Sequence, residues 1–116
     1  MDFLTRFLTG TQVNNISAVE AQKKLSQKQK PFLLDVRQPD EFRAGHIPGA
    51  KLIPLGELRA RMRELPKNQQ ILVVCRSGNR SMSATRQLVS AGFDAVNVAG
   101  GIIAWSNAGL PVSKAK

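Results

Sequence analysis

Hydrophobic and polar positions change period repeatedly along this chain, from the two-residue alternation of strands to the three-to-four-residue spacing of helices. Val13-Asn14-Asn15-Ile16 is the first strand candidate. Ser17 and Glu20 then form a capping box, each able to satisfy an otherwise orphaned N–H. The helix they open is expected to run to about Lys28, with Ala18, Ala21 and Leu25 as its inward stripe and Val19 and Lys23 also turned inward. Phe32-Leu33-Leu34-Asp35-Val36 is nearly all apolar, as expected of a strand covered on both faces. Pro39 and the carboxylates of Asp40 and Glu41 suit the first turn of a short helix. A turn over 45–49, a short strand over 51–53 and a helix over 55–65, stopped by Pro66, come next. Ile71-Leu72-Val73-Val74-Cys75 is the most apolar strand and so the central one. A helix over 81–91 with Gly92 as its left-handed stop, a strand over 95–98 and a helix over 102–108 complete the pattern.

Strand and helix alternation of this kind predicts an α/β fold with a parallel sheet, helices on both faces and right-handed crossovers. Ligands in such sheets bind beyond the carboxyl ends of the strands. The expected organisation is an N-terminal extension over 1–12, a single domain over 13–112 and a frayed tail over 113–116. Phe3, Leu4, Phe7 and Leu8 recur at helical spacing, so the extension reads as a short amphipathic helix.

Composition narrows the classes. A chain of 116 residues is long enough for one core without a disulfide staple, and one cysteine supplies none. No stretch has the length of a signal peptide core or a membrane span, and a single reduced cysteine suits a reducing compartment, so a cytoplasmic location is expected. The formal net charge is +9. It concentrates over 51–80, where seven basic residues face two acidic ones. Such a field attracts small anions and acidic partner proteins. With one tryptophan, no tyrosine and no basic stripe interleaved with aromatics, nucleic acid is not the expected target. One cysteine and one histidine, far apart, give no metal-ligand spacing, and no metal or cofactor is expected.

Within this frame Cys75 stands out. It ends the central strand and is followed by Arg76-Ser77-Gly78-Asn79-Arg80-Ser81. Loop N–H groups, a helix start and two arginines all favour an anion, whereas a free cysteine is only about 3% thiolate at pH 7. A nucleophile is the expectation; an inert core cysteine would not call for this surrounding. Gly78 relaxes the turn, Arg80 is suited to a two-point grip on an oxyanion, and Arg76 adds charge at the rim. Ser81 reads as an ordinary first-turn residue that could also donate to sulfur, and Asn79 equally as a helix cap or a ligand contact. A cysteine-dependent phosphatase uses similar parts, but four residues between Cys75 and Arg80 make a small ring for a phosphoryl group with three equatorial oxygens.

Three blocks taken together resemble the rhodanese-like sulfurtransferases, in particular their single-domain members. They are Leu34-Asp35-Val36-Arg37 with Glu41-Phe42 and the segment Gly45-His46-Ile47-Pro48-Gly49-Ala50; the loop Cys75 to Ser81; and Gly100-Gly101 with Trp105 and Gly109-Leu110-Pro111-Val112. The resemblance spans about residues 14–112. It implies a twisted, five-stranded, mostly parallel sheet in three layers. It also implies a persulfide on Cys75, taken from a donor such as thiosulfate with release of sulfite and passed to cyanide or a thiol. Arg76 and Arg80 would attract the donor, and the N–H groups from Arg76 to Arg80, through Ser77, Gly78 and Asn79, would cradle the outer sulfur. Family phosphatases have a loop one residue longer. Asp35 and Arg37 are expected as an ion pair bracing the loop, His46 as a structural residue and Trp105 as core filler. A complete small enzyme is expected. A carrier receiving sulfur from a desulfurase uses the same persulfide, and a docking module that has lost catalysis would have lost Cys75.

Overall fold

The structure is a computed structural model and describes residues 12–114. The helix expected around Phe3 to Leu8 lies outside the described residues. Five strands, β1 (Asn15–Ile16), β2 (Phe32–Asp35), β3 (Lys51–Leu52), β4 (Ile71–Val74) and β5 (Ala95–Val98), form one sheet in the order β1-β5-β4-β2-β3. Every pairing is parallel. The most apolar strand, β4, is the central one, paired to β2 in the register Asp35 with Val74 and to β5 in the register Val73 with Asn97.

Helices α1 (Ala18–Leu25), α2 (Pro39–Ala44), α3 (Leu58–Arg61), α4 (Asn79–Ser90) and α5 (Gly101–Asn107) alternate with these strands. Because side chains alternate across a strand, the unbroken apolar run of β4 serves two cores. Ile71, Val73 and Cys75 join Leu34, Leu58, Ala84 and Leu88 on the face covered by α3 and α4. Leu72 and Val74 join Ala18, Ala21, Val98 and Trp105 on the face covered by α1 and α5. Trp105 is fully buried and donates its indole N–H to the Pro111 carbonyl at 2.7 Å, so it fills the core without stranding a polar atom.

Several boundaries differ from expectation. Helix α1 stops at Leu25, three residues early, because the Ser26 hydroxyl bonds back to the Gln22 carbonyl at 2.9 Å and no apolar residue follows to be buried. Val19 is 51% exposed and Lys23 is exposed; only Ala18 and Ala21 of the expected stripe are fully buried, with Leu25 half-buried. The segment expected as one helix over 55–65 is α3 between two 3-10 turns, Leu55–Glu57 and Met62–Glu64. Pro54 before it and Gly56 within it weaken regular helix, while Leu58 and Leu65 anchor it to the core. Helix α4 starts at Asn79, two residues early. Ser113, expected in a loose tail, exchanges two 2.8 Å backbone hydrogen bonds with His46.

The topology fixes where a site can form. The chain leaves β2 through α2 toward β3 at one edge, and leaves β4 through α4 toward β5 on the other side. Adjacent strands with connections leading apart open a crevice at their carboxyl ends. Asp35 ends β2 there, and Cys75 follows β4.

Candidate active site

The loop after β4 wraps around the Cys75 sulfur. Gly78 has φ 111°, a conformation that favours glycine, and this aims its N–H at Sγ at 3.1 Å. Ser81, in the first turn of α4, donates its hydroxyl to Sγ at 3.2 Å. Cys75 itself is 1% exposed. Burial pushes its thiol up, but the Ser81 hydroxyl and the N–H groups of Ser81, Gly78 and Ser77 outweigh it, and the group is held below its ordinary value. Hydrogen bonds from the loop are the main source of that lowering, and Arg80 adds a Coulombic attraction to the same sulfur.

The loop is secured from behind. The first turn of α5 donates two backbone hydrogen bonds into it, Ile102 N–H to the Cys75 carbonyl at 2.8 Å and Ile103 N–H to the Arg76 carbonyl at 3.1 Å. Gly101 makes the approach possible: a Cβ there would collide with both carbonyls. Gly100-Gly101 thus sets the backbone distance between α5 and the Cys75 loop.

Across the crevice, α2 supplies a partner for the loop. Glu41 accepts from Arg80 Nη1 at 2.7 Å and Nη2 at 2.8 Å, and from the Gln38 N–H at 2.9 Å. The Arg80 hydrogen bonds, opposed by burial, bring the Glu41 carboxyl down to about 2, and the same pair raises Arg80. The guanidinium expected to grip an oxyanion already holds a carboxylate of its own chain. Arg76 and Asn79 stand exposed at the rim, and the helix cap that Asn79 might have supplied is Gly78 instead.

The remaining candidates are engaged with one another and with the turn after α2. Asp35 and Arg37 form a buried pair, with Nη2 2.8 Å from Oδ2 and Nε 3.0 Å from Oδ1. Arg37 also donates to the Gly45 carbonyl at 2.7 Å, so the pair braces the turn after α2. His46 stacks on Phe42, with ring centroids 3.8 Å apart, and its Nδ1 lies 2.8 Å from the Phe42 carbonyl. These contacts make it structural. One contributor is not assigned from sequence: Glu41 reads as a helix-start carboxylate, which it also is, and nothing in its spacing announces Arg80. Ser81, a candidate for donating to sulfur as well as a first-turn residue, is both, with its hydroxyl on Sγ. A groove of about 580 Å³ between Lys24, Lys30 and Gln70 lies at the opposite end of the sheet and has no part in this chemistry.

Comparison with known proteins identifies the family. Residues 17–108 match the model of the rhodanese-like domain. A protein of Allochromatium vinosum named "Sulfurtransferase" is 39% identical over 101 residues, covering 86% of this chain and 94% of that one. The Bacillus subtilis protein named "Putative sulfur carrier protein YrkF" is 37% identical over 97 residues, 83% of this chain and 52% of that protein. The crystal structure of a rhodanese-related protein from Thermoplasma volcanium superposes with a TM-score of 0.81 at 35% identity, covering 86% of this chain and 97% of the other. A parallel five-stranded sheet, a cysteine loop at its switch point and these matches agree, and the chain belongs to the rhodanese-like family of sulfurtransferases and sulfur carriers.

Proposed function

We propose that this protein transfers sulfane sulfur through a persulfide on Cys75. The observation that carries the reading is the hydrogen-bonded cradle around a buried Sγ, from Gly78 N–H at 3.1 Å and Ser81 Oγ at 3.2 Å. In the first step the Cys75 thiolate attacks the outer sulfur of a donor such as thiosulfate. The new S–S bond forms at Cys75, the donor's S–S bond breaks, and its electron pair leaves with sulfite. In the second step a thiophilic acceptor, cyanide or a thiol, attacks the outer sulfur, and the thiolate of Cys75 is the leaving group. The N–H groups of the loop suit the terminal sulfur, and Ser81 suits the charge that returns to Sγ.

A carrier role uses the same persulfide, with a desulfurase as donor and a biosynthetic partner as acceptor. The similarity to a protein named as a sulfur carrier favours keeping this second reading. One experiment tests both. Intact mass is measured after incubation with thiosulfate, again after dithiothreitol, and on Cys75→Ser. The expected result is a gain of one sulfur that the reductant removes and the variant never shows; reversal distinguishes it from sulfinic acid, which has nearly the same mass. Loading only from a persulfidated desulfurase would favour the carrier. Loading from neither, or equal loading of Cys75→Ser, would overturn the persulfide reading.

A further inference from the structure

Among the described residues, Glu41 is the one acidic side chain brought onto an arginine of the Cys75 loop. It reaches Arg80 from 39 residues away across the switch point, and it engages both terminal nitrogens. The other acid beside the crevice, Asp35, is wholly occupied by Arg37. Arg76 therefore supplies the uncompensated positive charge of the loop, and the charge of Arg80 is countered before any donor arrives. An anion approaching Sγ meets a mouth one unit less positive than the loop sequence implies.

We propose that Glu41 determines which donor charge the Cys75 loop accepts: by holding Arg80 it disfavours dianionic sulfur donors and favours donors of lower charge, thiol persulfides among them. This rests on the persulfide reading above for the identity of the reaction. Removing one negative charge at the mouth changes the encounter in proportion to donor charge, by about three-fold per unit of donor charge in a well-hydrated site. Attraction to a neutral reagent is unaffected.

Two donors of nearly the same shape test it. Thiosulfate carries two negative charges and methanethiosulfonate one, and each gives one sulfur to the thiolate, releasing sulfite or methanesulfinate. In Glu41→Gln the kcat/KM ratio of thiosulfate to methanethiosulfonate should rise about three-fold at about 20 mM salt and return toward the original value at about 500 mM. The double variant Glu41→Gln/Arg80→Gln restores the charge balance, and its ratio should lie within about two-fold of the unsubstituted chain. Alkylation of Cys75 by iodoacetate relative to iodoacetamide gives the same comparison without turnover and should shift by about the same factor. The unsubstituted chain itself should show an iodoacetate to iodoacetamide ratio that changes less than about two-fold over that salt range. Donor and alkylation ratios unmoved in Glu41→Gln, or a steep salt dependence in the unsubstituted chain, would overturn the role of Glu41 while leaving persulfide formation standing. Failure of both small donors to load Cys75 would overturn the donor selectivity, and failure of a persulfidated desulfurase as well would overturn the persulfide reading itself.

Discussion

The Ser81 hydroxyl has one proton and two acceptors at equal range, Cys75 Sγ at 3.2 Å and the Gly78 carbonyl at 3.2 Å. The charge on sulfur decides which one receives it. A thiolate is much the stronger acceptor, so the proton turns to Sγ when Cys75 ionises and is released to the carbonyl when the sulfur is neutral. Ser81 thus stabilises the anion selectively and costs the neutral thiol nothing.

Ser81→Ala should consequently raise the pH at which Cys75 reacts. A thiolate nucleophile gains reactivity as pH rises through its pKa, so the alkylation profile of the variant moves to higher pH. Losing about 1 kcal/mol of hydrogen bonding to the anion lowers the rate at neutral pH about five-fold. Iodoacetamide rates across the pH range make the measurement. Equal plateaus at high pH would show that only ionisation changed; an unshifted profile would assign the anion's stabilisation to the N–H groups alone.

Gly101→Ala tests the contact between α5 and the Cys75 loop. Gly101 has φ 58°, and a Cβ would meet the carbonyls of both Cys75 and Arg76. Neither carbonyl can yield, because each accepts a hydrogen bond from the same helix. The expected cost is about 3 kcal/mol or more in stability, with a displaced loop and lost Cys75 reactivity in whatever remains folded. Gly56→Ala is the control, since nothing lies within 4 Å of the added methyl and φ is not positive there. It should be neutral or stabilising by up to about 1 kcal/mol. Equal melting temperatures for the two variants would refute the packing argument.

The sheet was legible because its information is local and repeated. Ile71 to Val74 and Phe32 to Leu34 are apolar on both faces, and that pattern alone identifies covered parallel strands with β4 at the centre. Cys75 was legible because a strand end and a glycine turn are sequence-adjacent signals. The irregular segment around α3 was not, since its two buried leucines, Leu58 and Leu65, are seven residues apart and fit a regular helix equally well. The Glu41–Arg80 pair was beyond reach for a different reason. It exists only because β2 and β4 are neighbours with diverging connections, a fact of topology that neither segment carries by itself.

That pair makes the damage that Arg80→Ala does to an anionic donor reversible by a second substitution. The variant leaves the Glu41 carboxylate at the mouth without its counter-charge, and like charge repels thiosulfate. Loading by thiosulfate should fall about ten-fold at low salt. Adding Glu41→Gln to it should recover much of the loss, although neither single change restores a contact. Additive effects in this double-mutant cycle would mean the two residues act on the donor independently.

The same pair gives a pH dependence of stability with a definite sign. Arg80 holds the Glu41 carboxyl at about 2, well below the ordinary carboxylate value. A carboxyl depressed in the folded state binds fewer protons there than in the unfolded chain, so its contribution is complete above the unfolded pKa of about 4.3. It is lost as pH falls from there toward about 2. The side chains of Arg80 and Glu41 are 35% and 25% exposed, and solvent screening limits the contribution to about 1 kcal/mol. Glu41→Gln should therefore be less stable than the unsubstituted chain by about that amount at neutral pH, and the gap should close between about pH 4.5 and pH 2. Arg80→Gln should close over the same window, because protonation of Glu41 removes the interaction from the other side. Urea midpoints at neutral pH, at about pH 4 and at about pH 2.5 follow the gap directly. A gap that persists at the lowest pH would mean that the substituted side chains disturb packing, and that the ion pair itself adds little to the fold.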